Sequence, residues 1–291
     1  MSSISNSNGR ALEYIVTKTL VEKYNCQLDD SCKYMQLKDE VFYLALPENQ
    51  QRRYQAASNK LGEYLETQYN IQDNIIIRLT DNQAKSHNSD VTDIRLLNGG
   101  NSLNISLKNN HNAVKHNRPS ALALQCGFGA KSIQDIEYRE NYKDVTDSFT
   151  NLVNKNFTGV TLFNEVKSQD KDFINLHLYK PVCQNVVDFI NKYVKLSPSN
   201  SSFLFSFLIG SKDFIKIVLR NNLEITNFYK IALPTSVSAI LKNDSYVFLN
   251  FNNGYVISMR LHTASSKIKG VSLKFDSQVV SSDLTPVLID I

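Results

Sequence analysis

Residues Ser89 to Ser120 read SDVTDIRLLNGGNSLNISLKNNHNAVKHNRPS, and this stretch decides the fold. Residues 91–97 and 103–108 have the character of strands, and Asn98, Gly99, Gly100, Asn101 and Ser102 between them carry turn chemistry, which predicts an antiparallel hairpin. Side chains alternate faces along a strand, so Ser106 and Lys108 project from one face of the return strand while Asp93 begins the outgoing one. Asp93 and Lys108 are therefore expected to converge. No acid occurs from Ile94 to Gln134, yet Arg95, Lys108, Lys115, Arg118 and Lys131 do, together with His111 and His116. The segment is built to face an anion, with one carboxylate at its edge.

Upstream, residues 9–24 place Ala11, Leu12, Ile15, Val16 and Leu20 at helical spacing behind a Ser/Asn-rich start that supplies a cap. Glu13 lies at the margin of that stripe and leans inward with Val16 and Leu20. Residues 37–46 read as a helix that Pro47 interrupts, Glu48–Tyr69 as a longer charged helix, and residues 74–79 (NIIIRL) as a strand. Downstream, residues 135–142, 144–155 and 182–194 look helical. Strands follow near 214–219, 246–251, 255–261 and 271–275, with Asn252, Asn253 and Gly254 turning one hairpin. The pattern is α+β with a β-rich C-terminal part. It carries no internal repeat and no low-complexity linker.

With 291 residues and 42% hydrophobic content the chain can bury a sizeable core. Its net charge of +4 points to a polyanionic partner only where the charges cluster. Cys26, Cys32, Cys126 and Cys183 form no CxxC pair, so a disulfide framework is not expected and a reducing cytoplasm is. No window reaches the roughly 18 apolar residues of a membrane span, and MSSISNSNGR lacks the apolar core of a signal peptide.

A carboxylate beside a lysine on a twisted hairpin suits phosphodiester hydrolysis. The acid holds a divalent metal that polarises the phosphate and acidifies water, while the lysine orients or deprotonates that water. Oxygen ligands of this kind suit Mg²⁺. The competing reading is an exposed hairpin carrying a surface acid and base.

The text SDVTDIRL followed by NISLKNNHNAVKHNRPS resembles the signature of the HaeIII family of type II restriction endonucleases, and SNGRALEY near the start is similar to that family's N-terminal motif. The resemblance covers the first helix and the hairpin well and the middle third poorly. It implies a single restriction-endonuclease domain over residues 1–291, with a PD-(D/E)xK core in a mixed central sheet flanked by helices. The catalytic core would span 1–160 and a β-rich DNA-contacting part 200–291. It also implies Mg²⁺-dependent cleavage of double-stranded DNA, GGCC as the target of the best-known members, a homodimer matched to a palindrome, a partner DNA methyltransferase and a bacterial-type cytoplasm. Asp93 takes the metal-ligand position and Lys108 the lysine position. Ser106 stands where the superfamily's second acid belongs, so the metal site is one carboxylate short. Glu13, within the GRALEY motif, is the favoured supplier and Asp90 its rival. Asp90 and Asp93, three apart on an extended segment, point to opposite faces.

Past the hairpin, Asn110, His111, Lys115, His116, Asn117 and Arg118 supply donors without acids, as phosphate clamping and guanine contact require. Between Asp244 and Asp276 a second acid-free stretch places Arg260, His262, Thr263, Ser265 and Lys274 as DNA contacts, against the alternative of a basic edge strand that discourages aggregation. Two rival functions stay open. One is a non-catalytic DNA-binding protein with a decayed site, kept alive by Ser106. The other is an HNH nuclease suggested by Asn110, His111 and Asn112, although no partner histidine lies at a convincing spacing.

Overall fold

The computed structural model describes residues 4–79, 90–110 and 114–291. Two compact units share the chain, one made of residues 1–112, 210–231 and 284–291, the other of 113–209 and 232–283. The class is α+β, as expected, with a mixed sheet flanked by helices and a β-rich C-terminal region.

In the first unit, α1 (Ile4–Tyr24), α2 (Lys33–Leu44) and α3 (Glu48–Tyr69) accompany a seven-stranded sheet. Its strands are β1 (Gln27–Leu28), β2 (Ile75–Arg78), β3 (Ile94–Asn98), β4 (Asn101–Asn109), β6 (Phe214–Leu219), β7 (Asn222–Phe228) and β12 (Val287–Asp290), hydrogen-bonded in that order. Pairing is antiparallel except for β1 with β2 and β4 with β6. The expected hairpin is β3–β4. Asn98 pairs with Asn101 across Gly99 and Gly100, whose φ values of 53° and 91° are what a two-residue turn demands and what glycine supplies without strain. Helix α3 begins directly after Pro47 and ends at Asn70, whose left-handed backbone donates its N–H to the Glu66 carbonyl.

Strand alternation sorts this sheet into two faces. Leu103, Ile105 and Leu107 of β4 and Ile215, Ile217 and Leu219 of β6 join a buried cluster with Leu12, Ile15 and Leu20 of α1 and Leu61 and Leu65 of α3. Each such side chain contributes about 1.5–3 kcal/mol by leaving water. Asn104, Ser106, Lys108 and Lys216 alternate with them and turn to the opposite face.

The second unit holds a five-stranded antiparallel sheet in the order β5 (Lys115–Asn117), β11 (Leu273–Ser281), β10 (Val256–Thr263), β9 (Tyr246–Phe251) and β8 (Val237–Lys242). Helices α4 (Leu122–Gln125), α5 (Ile133–Asn156), α6 (Phe163–Gln169), α7 (Lys180–Phe189) and α8 (Pro198–Ile209) complete it. Where the sequence suggested two helices, α5 runs unbroken. Ser132 caps it by accepting from the Asp135 amide, no Gly or Pro interrupts it, and Tyr138, Phe149 and Val153 bury one stripe. The helix expected over 182–194 starts earlier, at Lys180, and its last turn (Ile190–Val194) is π-helical. All four cysteines are free and buried. Among the described residues no helix is long and apolar enough to cross a membrane.

Candidate active site

Asp93 sits one residue before β3, its own amide bonded to the Ile105 carbonyl (2.8 Å) and its carbonyl to the Leu79 amide (3.0 Å). With the backbone clamped between two strands, the side chain has a defined aim. Its Oδ2 accepts from the Leu107 amide (2.7 Å), the Ser106 hydroxyl (3.2 Å) and Lys108 Nζ (3.2 Å). The expected convergence of Asp93 and Lys108 is therefore present, with both side chains about one quarter exposed. All three donors fall on Oδ2. Ser106, 2% exposed, serves Asp93 as a hydrogen-bond donor.

Glu13 comes from α1, which packs on β4, and lies near enough for the charges of Asp93 and Lys108 to act on it. Burial and the negative charge of Asp93 push its carboxyl from the ordinary 4.5 up to about 7, against the opposing pull of Arg78 and Lys108. A buried carboxyl group, a second carboxylate and one lysine thus act on one another electrostatically at the start of the hairpin.

Asp90 belongs to a different set of partners. It accepts from Arg95 Nη2 (2.6 Å) and the Thr92 amide (3.0 Å) and pairs with Lys212 Nζ at 3.3 Å. Burial works against its charge, but Thr92, Arg95 and Lys212 together hold its carboxyl below the usual range.

Behind Glu13 lies a residue the sequence reading passed over. Arg78, at the end of β2, is fully buried and donates from Nη2 to Glu13 Oε2 (2.8 Å) and Asp39 Oδ2 (2.7 Å), and from Nη1 to Gln36 Oε1 (2.9 Å). Its amide donates to Cys32 Sγ (3.2 Å), and Arg10 pairs with the other oxygen of Asp39. The arginine in the apolar run NIIIRL was the available signal. A buried guanidinium requires carboxylate partners, and only α1 and α2 could supply them.

The two basic segments, over a hundred residues apart, meet in the second unit's sheet. Strand β5 lies beside β11 and β11 beside β10, pairing His116 with Asp276, Arg260 with Asp276 and His262 with Lys274. Asp276, which bounds the second acid-free run, is hydrogen-bonded with His116 Nδ1, and His262 Nε2 lies 2.9 Å from its other oxygen. Burial lowers the His116 pKa even though Asp276 draws it upward. Arg260 and Arg118 are exposed, and Arg118 Nη1 reaches the Ser272 hydroxyl (3.0 Å) and the Leu273 carbonyl (3.2 Å).

Other residues of these runs are turned to the protein. Lys115 Nζ donates to the Phe207 carbonyl (2.8 Å) and lies 3.7 Å from the centre of the Phe207 ring, with burial lowering its pKa to about 8. Asn117 is buried, its Nδ2 donating to Gln125 Oε1 (3.0 Å) and its Oδ1 accepting from the Ser277 hydroxyl (2.9 Å). The Thr263 amide donates to the Tyr179 hydroxyl (3.2 Å), and Ser265 Oγ accepts from the Lys267 amide (3.1 Å). Asn110, left-handed at φ 55°, donates its amide to the Leu219 carbonyl (2.9 Å). His111 and Asn112 lie outside the described residues.

A model of the HaeIII restriction endonuclease family matches residues 9–233. The chain is 25% identical to the type II restriction enzyme HaeIII of Haemophilus aegyptius over 325 aligned positions, covering all of this chain and 98% of that enzyme. No solved structure matches. The match contains most of α1 including Glu13, the β3–β4 hairpin and β6 with β7, and so every side chain of the Asp93 group; the chain belongs to the HaeIII restriction endonuclease family.

Proposed function

We propose that the chain is a type II restriction endonuclease that hydrolyses phosphodiesters of double-stranded DNA at a short G/C palindrome, GGCC, with Mg²⁺ as cofactor. The observation that carries the reading is the meeting of Glu13, Asp93 and Lys108 on α1 and one hairpin, within a chain of this family. The donor set fits the metal. Mg²⁺ is held by one or two carboxylates together with substrate phosphate and water, and Asp93 and Glu13 would offer it two hard oxygen ligands, with the dication favouring the ionised form of Glu13. When bound, the ion supplies polarisation of the phosphate and acidification of a water.

The chain's own groups do the rest. The Leu107 amide and Ser106 hydroxyl fix the Asp93 carboxylate on the strand. Lys108, held at 3.2 Å from that carboxylate, orients the attacking water and offsets charge that develops on the phosphate oxygens as the new P–O bond forms and the old one breaks. Arg78 keeps the Glu13 side chain aimed from behind. Arg260 and Lys274 on the second unit's sheet, and Arg118 just past the end of β5, serve as DNA contacts, and a two-fold dimer in a bacterial cytoplasm, paired with a methyltransferase that protects the same sequence, suits a palindromic target.

One digest tests this. Sequenced plasmid DNA incubated with the protein and Mg²⁺ is expected to give discrete fragments whose mapped ends share GGCC. Lys108→Ala is expected to cleave at least a hundredfold more slowly. Random fragments, or a Lys108→Ala rate equal to the parent's, would refute the mechanism.

A further inference from the structure

Strand β6 lies parallel to β4 in a register that sets Lys216 beside Ser106 and Val218 beside Lys108. Paired residues on adjacent strands share a face, so Lys216 stands on the same face as Ser106 and Lys108, with strands about 4.8 Å apart. On the far side of β6, Thr226 of β7 pairs with Lys216, and Glu224 with Val218. A polar row thus crosses three strands through Ser106, Lys216 and Thr226.

Lys216 occupies the middle of the run FIKIVL, every residue of which is buried, and is itself only 9% exposed. A lysine in such a strand is costly, because burial disfavours its charge. Lys108 and Arg220 repel it, while Glu224 attracts it. It shares its face with the Lys108 ammonium and with Ser106, the hydrogen-bond donor to Asp93, so that a phosphate arriving there would meet two cations.

We infer that Lys216 is a second cationic contact to the DNA phosphate at the cleavage site, placed by β6 alongside the Lys108 supplied by β4. The inference rests on the nuclease reading of Asp93 and Lys108. Burial, Lys108 and Arg220 together bring the Lys216 pKa from 10.5 to about 8, and an incoming phosphate reverses that trend by stabilising the ammonium. The contact is to the anion rather than to a base, so it adds affinity and charge stabilisation without sequence preference.

The test measures binding of a short duplex containing the cleaved sequence in EDTA, across a salt series, for the parent, Lys216→Met, Lys216→Gln and Lys216→Arg. One phosphate contact contributes about 0.9 to the slope of log K against log salt. Lys216→Met and Lys216→Gln are expected to lower the slope by about that amount, and Lys216→Arg to retain it. In Mg²⁺ the two neutral variants are expected to cleave about tenfold to a hundredfold more slowly in single turnover, with urea unfolding midpoints at or above the parent's because a buried charge has gone. A slope unchanged in the neutral variants overturns the inference, whatever the rates do. A parent that neither binds nor cuts the duplex overturns the nuclease reading instead.

Discussion

Arg78→Met removes a fully buried guanidinium while keeping its length, and the cost follows from what it leaves behind. Asp39, also fully buried, keeps Arg10, whereas Glu13 loses the guanidinium bonded to its Oε2. Breaking a buried ion pair from one side costs about 3–5 kcal/mol, and the surviving Arg10 contact places this case near about 3 kcal/mol. With a urea dependence of about 2 kcal/mol per molar, the midpoint is expected to fall by about 1.5 M. The loss is also expected to depend on pH. Glu13 has a folded-state pKa near 7 against an ordinary 4.5, so the stability it contributes is fully present below about 4.5 and lost as pH rises through about 7. Arg78 is one of the groups that lower this pKa, and removing it matters most where Glu13 is ionised. Urea unfolding followed by circular dichroism at pH 5 and pH 8 is therefore expected to show the larger shift at pH 8. The double variant Arg78→Met/Asp39→Leu is expected to recover part of the loss, since partly exposed Arg10 can be solvated. A midpoint shift below about 0.5 M at pH 8, or the same shift at both pH values, would refute the account of a buried charge network.

Asp93→Asn keeps the hydrogen bonds from Ser106 and Leu107 in reach but removes the charge, and is expected to abolish plasmid cleavage while leaving binding in EDTA within about twofold of the parent, as gel shift would show. Ser106→Ala removes one of three donors to Asp93, and its cleavage rate is expected to fall less than about tenfold; a loss as large as that of Asp93→Asn would make the serine a participant rather than a support. Because Glu13 must lose a proton to bind a dication, Mg²⁺ affinity is expected to rise between pH 6 and pH 8 with proton release, seen by titration calorimetry in buffers of different ionisation enthalpy. Arg260→Ala is expected to weaken duplex binding and reduce its salt dependence, whereas Lys115→Ala, whose ammonium is bonded to Phe207, is expected to lower thermal stability with little change in the salt slope.

Local chemistry explains which parts of this were legible in sequence. The β3–β4 hairpin is specified by two glycines and two short alternating runs, and its geometry alone brings Lys108 to Asp93. Glu13 could be traced to the site because helical spacing aims it inward. Arg78 escaped attention because its partners come from α1 and α2, and no local pattern announces pairing across 39 or 65 positions. Strand β5 escaped for the same reason. Three residues make it, and its pairing with β11 lies some 160 positions away. That pairing separates the basic run into two classes that look alike in sequence. Alternation leaves His116 and Arg118 exposed and buries Asn117, while Lys115 turns to Phe207.

The division of the first unit among three chain segments bears on when the protein becomes dangerous to its host. Strand β4 leaves the ribosome long before β6, since residues 113–209 of the other unit intervene, and β6 is the parallel neighbour on which β4 depends. Pairing across so long a loop is slow and waits for the later segment. A nascent chain that already carries Glu13, Asp93 and Lys108 therefore holds them on a sheet whose central strand, β4, is still an open edge. Synthesis must pass β7 before those residues share a finished platform, which postpones competence for cutting until most of the polypeptide exists.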